Sequence, residues 1–316
     1  MTSRGVIRYS EHDVDTTSPL AGGCAWIDGE YVPAAQARIS VFDAGFAHSD
    51  LTYTAVSVWH GGIFRLGEHV ERLVAGARKL RIESPLAAEE IEAIALRCTA
   101  LSQLREAFVW IGVTRGLGPT PGDRMSPAMA PRVYAYAIPY LWVFPLEAQL
   151  DGASAVVARH VRRSGRGTVD PTVKNLQWGD LTKATLEARE RGAMQPILLD
   201  SDNCLAEGAG FNVLVVKNGT IATPVRNCLP GITRRTAIEI AARRGVPVEE
   251  RDVSSEELYA SDEIFATTTA GGVTPIVELD GAPVGTGRPG PITTAIRDRF
   301  WQLVAEPSAL VRKIDY

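Results

Sequence analysis

The stretch TVDPTVKNLQWGD, residues 168–180, places Lys174 between a strand-like run and a helix-like one, in a chain of 316 residues with only five lysines. Pro171 works against helix there, and Asn175, Gln177, Trp178 and Asp180 surround the lysine with polar and aromatic side chains. The other lysines are ordinary by position. Lys79 and Lys183 fall within helical patterns, Lys217 opens an Asn-Gly turn, and Lys313 lies in the tail. Lys174 is either a solvated loop residue or a reactive amine. The second reading demands that the rest of the chain supply a cradle for a cofactor.

Composition narrows the field. Lys and Arg number 33 against 37 Asp and Glu, a net charge of −4 with both signs mixed along the chain. A nucleic-acid or anionic-membrane surface needs a clustered basic face and is not expected. The opening residues carry Arg4, Arg8, Glu11, Asp13 and Asp15 without an apolar run, so neither a signal peptide nor a membrane span is predicted. Cys24, Cys98, Cys204 and Cys228 are widely spaced, which predicts free thiols in a reducing cytoplasm. The five histidines show no ligand spacing, so no metal is expected, and neither G-x-S-x-G nor a P-loop occurs.

Working outward from Lys174, the first half reads as short strands at 24–32 and 51–59, a helix at 67–82, and a second helix after Pro85. That second helix carries Ile91, Ile94, Ala95, Cys98 and Leu101 on one face. Strands at 107–116 and 132–140 then flank a Gly/Pro-rich loop, predicted to be mobile. Pro139 and Pro145 interrupt the pattern. The second half restarts with a strand at 154–163, followed after Lys174 by a helix at 179–192 and strands at 195–200 and 211–224. Asn218-Gly219 inside the last is a type I′ hairpin signal. A helix at 231–245, a strand at 262–272 and a helix at 292–306 follow. The fold class is therefore α/β in the mixed α+β sense: two domains with mixed sheets and a cleft between them. The division predicted is 1–140 with a loose N-terminal arm, a connection at 141–147, and 148–316.

Several stretches could form the cradle, each with a plainer alternative. LPGITRRTAIE sets Pro230 and Gly231 before a helix with Thr233 in its first turn, which makes either an anion cup or simply a capped helix. TTTAGG, residues 267–272, is either a ligand turn or an ordinary strand end. Glu207 in LAEGAGFN, just before a predicted strand, either faces a cationic ring nitrogen or is a loop glutamate. Arg72 points away from the stripe of Val70, Leu73 and Leu80, so periodicity predicts a solvent-facing side chain unless a ligand lies on that side.

Taken together, FRLGEHVERL, VKNLQWGDL, LAEGAGFNV, LPGITR and TTTAGG occur in the order found in class IV (fold type IV) pyridoxal-phosphate aminotransferases. The chain resembles that family over nearly its whole length, and within it the (R)-selective amine transaminases most. The resemblance implies a two-domain fold type IV architecture with the cofactor pyridoxal 5′-phosphate in the interdomain cleft, bound chiefly by the C-terminal domain. It implies that Lys174 forms the Schiff base, Glu207 keeps the pyridine nitrogen protonated, and Arg72 binds the phosphate. Ile232, Thr233, Thr268 and Thr269 would complete the phosphate cup, and Trp178 would lie beside the cofactor. It also implies a cytoplasmic homodimer acting on small-molecule amine and keto-acid substrates.

Two departures from the family's usual pattern bear on specificity. FDAGFAHSDLTYTAV, residues 42–56, lacks the glutamate that many members carry after the tyrosine, and Gly179 stands where branched-chain members usually have a tyrosine. Both look like the (R)-amine subgroup. The implied reaction moves an amino group from an (R)-amine to a keto acid such as pyruvate. A D-amino-acid transaminase is the alternative, ahead of a branched-chain aminotransferase, an aminodeoxychorismate lyase or a non-catalytic binder that kept the fold. Candidate substrate contacts are His48, Tyr53, Phe108, Trp110, Arg124 and Trp178. Phe108 and Trp110 are equally readable as core, His48 as structural, and Arg124 as a solvated loop residue or a flexible partner for an acceptor carboxylate.

Overall fold

The computed structural model describes residues 7, 9–10, 13–123 and 126–316. Two compact units emerge. One gathers Tyr9–Leu141, Val173–Leu176 and Val304–Tyr316, and the other Trp142–Thr172 and Gln177–Leu303. The switch after Leu141 falls at the proline-bounded connection, yet neither unit is continuous, unlike the division at 1–140 and 148–316. Sheet pairing explains why. The strand Val311–Lys313 joins the edge of the first unit's sheet, and the carbonyl of Lys174 is hydrogen-bonded by a strand of that same sheet.

The first unit contains β1 (Cys24–Ile27), β2 (Glu30–Pro33), α1 (Ala44–His48), β3 (Leu51–Trp59) and β4 (Gly62–Phe64). These are followed by α2 (Leu66–Lys79), α3 (Ala88–Ser102), β5 (Ala107–Leu117) and β6 (Ala130–Pro139). Among the described residues the sheet runs Val311–Lys313, β4, β3, β5, β6, β1, β2. Every pairing is antiparallel, so this sheet is not mixed as expected. Alternation sorts its faces. Val56, Val58, Val109, Ile111, Val113, Val133 and Ala135 point to the helices, where Val70, Leu73, Ile91, Ala95 and Cys98 complete a dry core. The opposite face carries Tyr53, Ala55, Phe108, Trp110, Gly112 and Tyr136 in facing register.

The second unit contains α4 (Ala148–Asp151), β7 (Ala153–Val157), α5 (Gly179–Glu190), β8 (Gln195–Leu199), β9 (Leu205–Gly208), β10 (Asn212–Lys217) and β11 (Thr220–Thr223). It continues with α6 (Ile232–Arg243), β12 (Val248–Glu250), α7 (Ser255–Tyr259), β13 (Glu263–Thr268), β14 (Gly272–Leu279), β15 (Ala282–Pro283) and α8 (Pro291–Ala305). Its sheet is mixed. The order is β12, β11, β10, β13, β14, β7, β8, β9, with β15 beside β14 and parallel pairings at β11–β12, β14–β7 and β7–β8. Asn218 and Gly219 both take positive φ, as a type I′ turn requires, and join β10 to β11 in two residues. β7 ends at Val157, earlier than the predicted 163, and residues 158–163 run on as irregular backbone. Glu207 lies within β9 opposite Leu198, not in a loop before a strand.

Candidate active site

In the first unit, β3 fixes the backbone of Lys174. The Tyr53 amide and the Thr52 hydroxyl both donate to its carbonyl, each at 2.9 Å. Gly76 lets α2 approach closely there, since a Cβ on it would stand 2.7 Å from the Thr52 hydroxyl. The lysine backbone is thereby anchored while its half-buried side chain leaves along the sheet face, with the ammonium 4.7 Å from the centroid of the Tyr53 ring. Such a placement is an ordinary cation–π contact. Beyond Tyr53, Trp110 stacks at 5.5 Å and Tyr136 stacks on Trp110 at 5.5 Å. Gly112 makes room, because a Cβ there would meet the Trp110 ring at 2.1 Å.

Phe108 and Trp110 are half-buried on this face, away from the helix-packed core, which removes the reading of them as core residues. Tyr136 belongs to the same row and could have been read from the alternation of RVYAYAIPY. His48 is exposed at the end of α1. Arg124 lies outside the described residues.

Arg72 corrects the periodicity reading. It is half-buried rather than solvent-facing, and its guanidinium donates to the Thr54 hydroxyl at 3.2 Å. That hydroxyl is also 3.0 Å from Nδ1 of the buried His69. A guanidinium can only donate, so the Thr54 oxygen accepts from Arg72, and its second contact, to His69 Nδ1, runs in the direction the ring tautomer sets. Burial, reinforced by Arg72, Lys174 and Arg65, holds the His69 pKa well below its ordinary value. The ring is therefore neutral. Burial likewise lowers Arg72 to about 10, offset in part by Tyr53, and leaves it charged at neutral pH. The helix misleads because α2 buries two rows, Leu66/Val70/Leu73/Ala77 and His69/Gly76.

In the second unit Glu207 is buried and held at both oxygens. The Arg163 Nε donates to one at 2.8 Å and the Leu229 amide to the other at 2.9 Å. Arg163 Nη1 donates to Asp180 at 2.7 Å, and Asp180 also accepts from the amides of Ser164 and Leu181. Burial opposes the charge on Arg163, but Glu207 and Asp180 outweigh it and raise its pKa. Burial likewise opposes ionisation of Asp180, but the Ser164 amide and Arg163 outweigh it and lower that pKa. Trp178 sits at the N-cap of α5 and packs with Leu181, Leu198 and Ala209, beside Gly210.

The N-terminus of α6 has no side-chain cap and no acidic residue in its first turn. Its first amides, at Ile232 and Thr233, therefore suit an anion. Thr233 is buried and Thr269 half-buried. Thr268 donates its hydroxyl proton to the Gly210 carbonyl at 2.9 Å, so it ties the turn to the Glu207 segment. The hydroxyl that is buried without a partner among the described residues is that of Thr267.

These groups fit pyridoxal 5′-phosphate. An uncapped helix terminus with threonine hydroxyls suits a phosphate monoester, and an arginine bonded to two carboxylates leaves the trio one net negative charge when all are ionised, which suits a cationic ring nitrogen.

The comparisons with known proteins agree. Residues 51–279 match the model of the family described as amino-transferase class IV. A Methanocaldococcus jannaschii protein, described provisionally as a branched-chain-amino-acid aminotransferase, is 33% identical over 277 residues, 87% of this chain and 94% of that protein. The D-alanine aminotransferase of Bacillus licheniformis is 29% identical over 284 residues, 89% of this chain and 97% of that one. Among solved structures, the branched-chain aminotransferase of Escherichia coli superposes with a TM-score of 0.87 at 27% identity, covering 92% of this chain and 99% of that one. A branched-chain aminotransferase from T.th., complexed with N-(5′-phosphopyridoxyl)-L-glutamate, gives 0.83 at 26% identity, covering 93% and 99%.

Proposed function

The chain belongs to the amino-transferase class IV family, whose members work with pyridoxal 5′-phosphate, and from that premise we propose that it moves an amino group from an (R)-amine to a keto acid such as pyruvate. The observation that carries the amine preference is the stacked row Tyr53, Trp110, Tyr136 beside Lys174. An aromatic wall accepts an apolar amine substituent, whereas a carboxylate calls for a cation. Gly179 in place of the branched-chain tyrosine supports the same choice.

When bound, the cofactor supplies an electron sink that lets a substrate C–H bond ionise. The residues do the rest. Lys174 would hold the cofactor covalently, and its amine, when free, would carry a proton between the two carbons that exchange it. Glu207 would accept the hydrogen bond of the ring nitrogen. The amides of Ile232 and Thr233 and the hydroxyls of Thr233 and Thr269 would take the phosphate, with Arg72 expected to join them from the family resemblance, while Thr268 holds the turn and Trp178 would line the cofactor's side. Thr54 and the neutral His69 keep Arg72 aimed.

The D-amino-acid reading is favoured by the near full-length likeness to the Bacillus licheniformis enzyme, and Arg124 would then hold the substrate carboxylate. The test is one half-reaction. Protein loaded with cofactor is mixed with each enantiomer of 1-phenylethylamine without acceptor, and visible absorbance is followed. Bleaching by the (R) form alone is the expected outcome. Bleaching by D-alanine but by neither amine establishes the D-amino-acid reading instead, and Arg124→Ala should then abolish it. A homodimer is part of the proposal, supported by Ile39, Val41, Phe42 and Phe46, exposed together around α1. A cytoplasmic location completes it.

A further inference from the structure

We propose that Arg163, steadied by Asp180, is the positioning residue that keeps the Glu207 carboxylate aimed, and so sets how strongly the protein favours a protonated ring nitrogen. This rests on the reading of Glu207 given above. Carboxylates are rarely buried, and Glu207 is 6% exposed inside a β-strand, where its own backbone leaves no freedom to follow a ligand. Its two oxygens are fixed from different directions. One takes the Leu229 amide, and the other takes Arg163 Nε. An amide orients without supplying charge. The guanidinium does both.

The fork of Arg163 is itself over-determined. Nε goes to Glu207 and Nη1 to Asp180, while its backbone amide donates to the Leu199 carbonyl at 2.9 Å. Asp180 stands in the first turn of α5, six residues beyond Lys174, so two ion pairs through Arg163 join Glu207 to the start of that helix. A lysine could serve one carboxylate as a point charge but not both in this planar geometry.

The test compares affinities for pyridoxal 5′-phosphate and its 1-deaza analogue, in which carbon replaces the ring nitrogen. Dissociation constants come from absorbance and fluorescence titration, with no turnover involved. The wild type should favour the natural cofactor by roughly ten- to a hundredfold, the scale of one charge-assisted hydrogen bond. Arg163→Gln should lose most of that preference, because the carboxylate it leaves behind is no longer held in place from both sides. A merely structural arginine weakens both ligands equally and leaves the ratio intact, which overturns the proposal. Should the glutamine variant not fold, Arg163→Lys decides: a reduced ratio upholds the fork, and an unchanged one refutes it. Glu207→Gln separates the two layers. If it keeps the wild-type ratio, the placement of Glu207 at the ring nitrogen is wrong; if it loses the ratio while the Arg163 variants keep it, only the present inference fails.

Discussion

The role proposed for Lys174 asks for a fixed backbone, and the two hydrogen bonds to its carbonyl supply one. Lys174→Ala should leave a folded protein without the visible absorbance of covalently held cofactor and with background turnover, as a spectrum and a coupled assay would show. At His69 the consequence concerns pH. Its folded pKa lies below the unfolded value near 6.5, so unfolding takes up a proton as pH falls. The stabilisation is complete above about 6.5 and declines below it, by up to ~1.4 kcal/mol per pH unit. Denaturant melts of His69→Asn should lack that slope just below pH 6.5. Spacing revealed the burial of neither His69 nor Arg72, because periodicity shows one buried stripe and not what covers a second. Arg163 was hidden for another reason: it meets Glu207 across 44 positions, and nothing local marks the pair.

Among elements, the strand at 51–59 and both early helices were legible because their apolar spacing is long and regular. β9 was not, since four residues holding a buried glutamate carry no strand pattern. The start of α6 shows what tight elements permit. A Cβ on Gly231 would stand 2.0 Å from Asn212 Oδ1, and Asn212 donates to the Leu229 carbonyl at 2.8 Å. Gly231→Ala should therefore push Asn212 aside, shift the helix start, weaken cofactor binding by roughly tenfold in a titration, and lower the unfolding midpoint through about 1–3 kcal/mol of lost stability. On β5 the stacked row predicts a different outcome. Trp110→Ala should cost about 1–3 kcal/mol of stability through two lost stacks and move the ratio of kcat/KM toward bulkier amines.

At the scale of the molecule, each unit has its own core, and the first draws on three separated segments of chain. Its last segment is well fastened. Ile314 is buried in the first core and its amide donates to the Gly61 carbonyl, while the Tyr316 hydroxyl reaches the Leu104 carbonyl under the guanidinium of Arg105. Removing residues 311–316 should cost about 3 kcal/mol or more, read as a lower urea midpoint. Light scattering tests the homodimer, and Phe46→Asp should shift the mass toward the monomer. The fastening also has a consequence for birth on the ribosome. More than 100 residues of the second unit leave the exit tunnel between β6 and the strand that closes the first sheet, and throughout that interval β4 waits with an unpaired edge. The unit translated first is finished last, and its nascent form is the one a chaperone would meet.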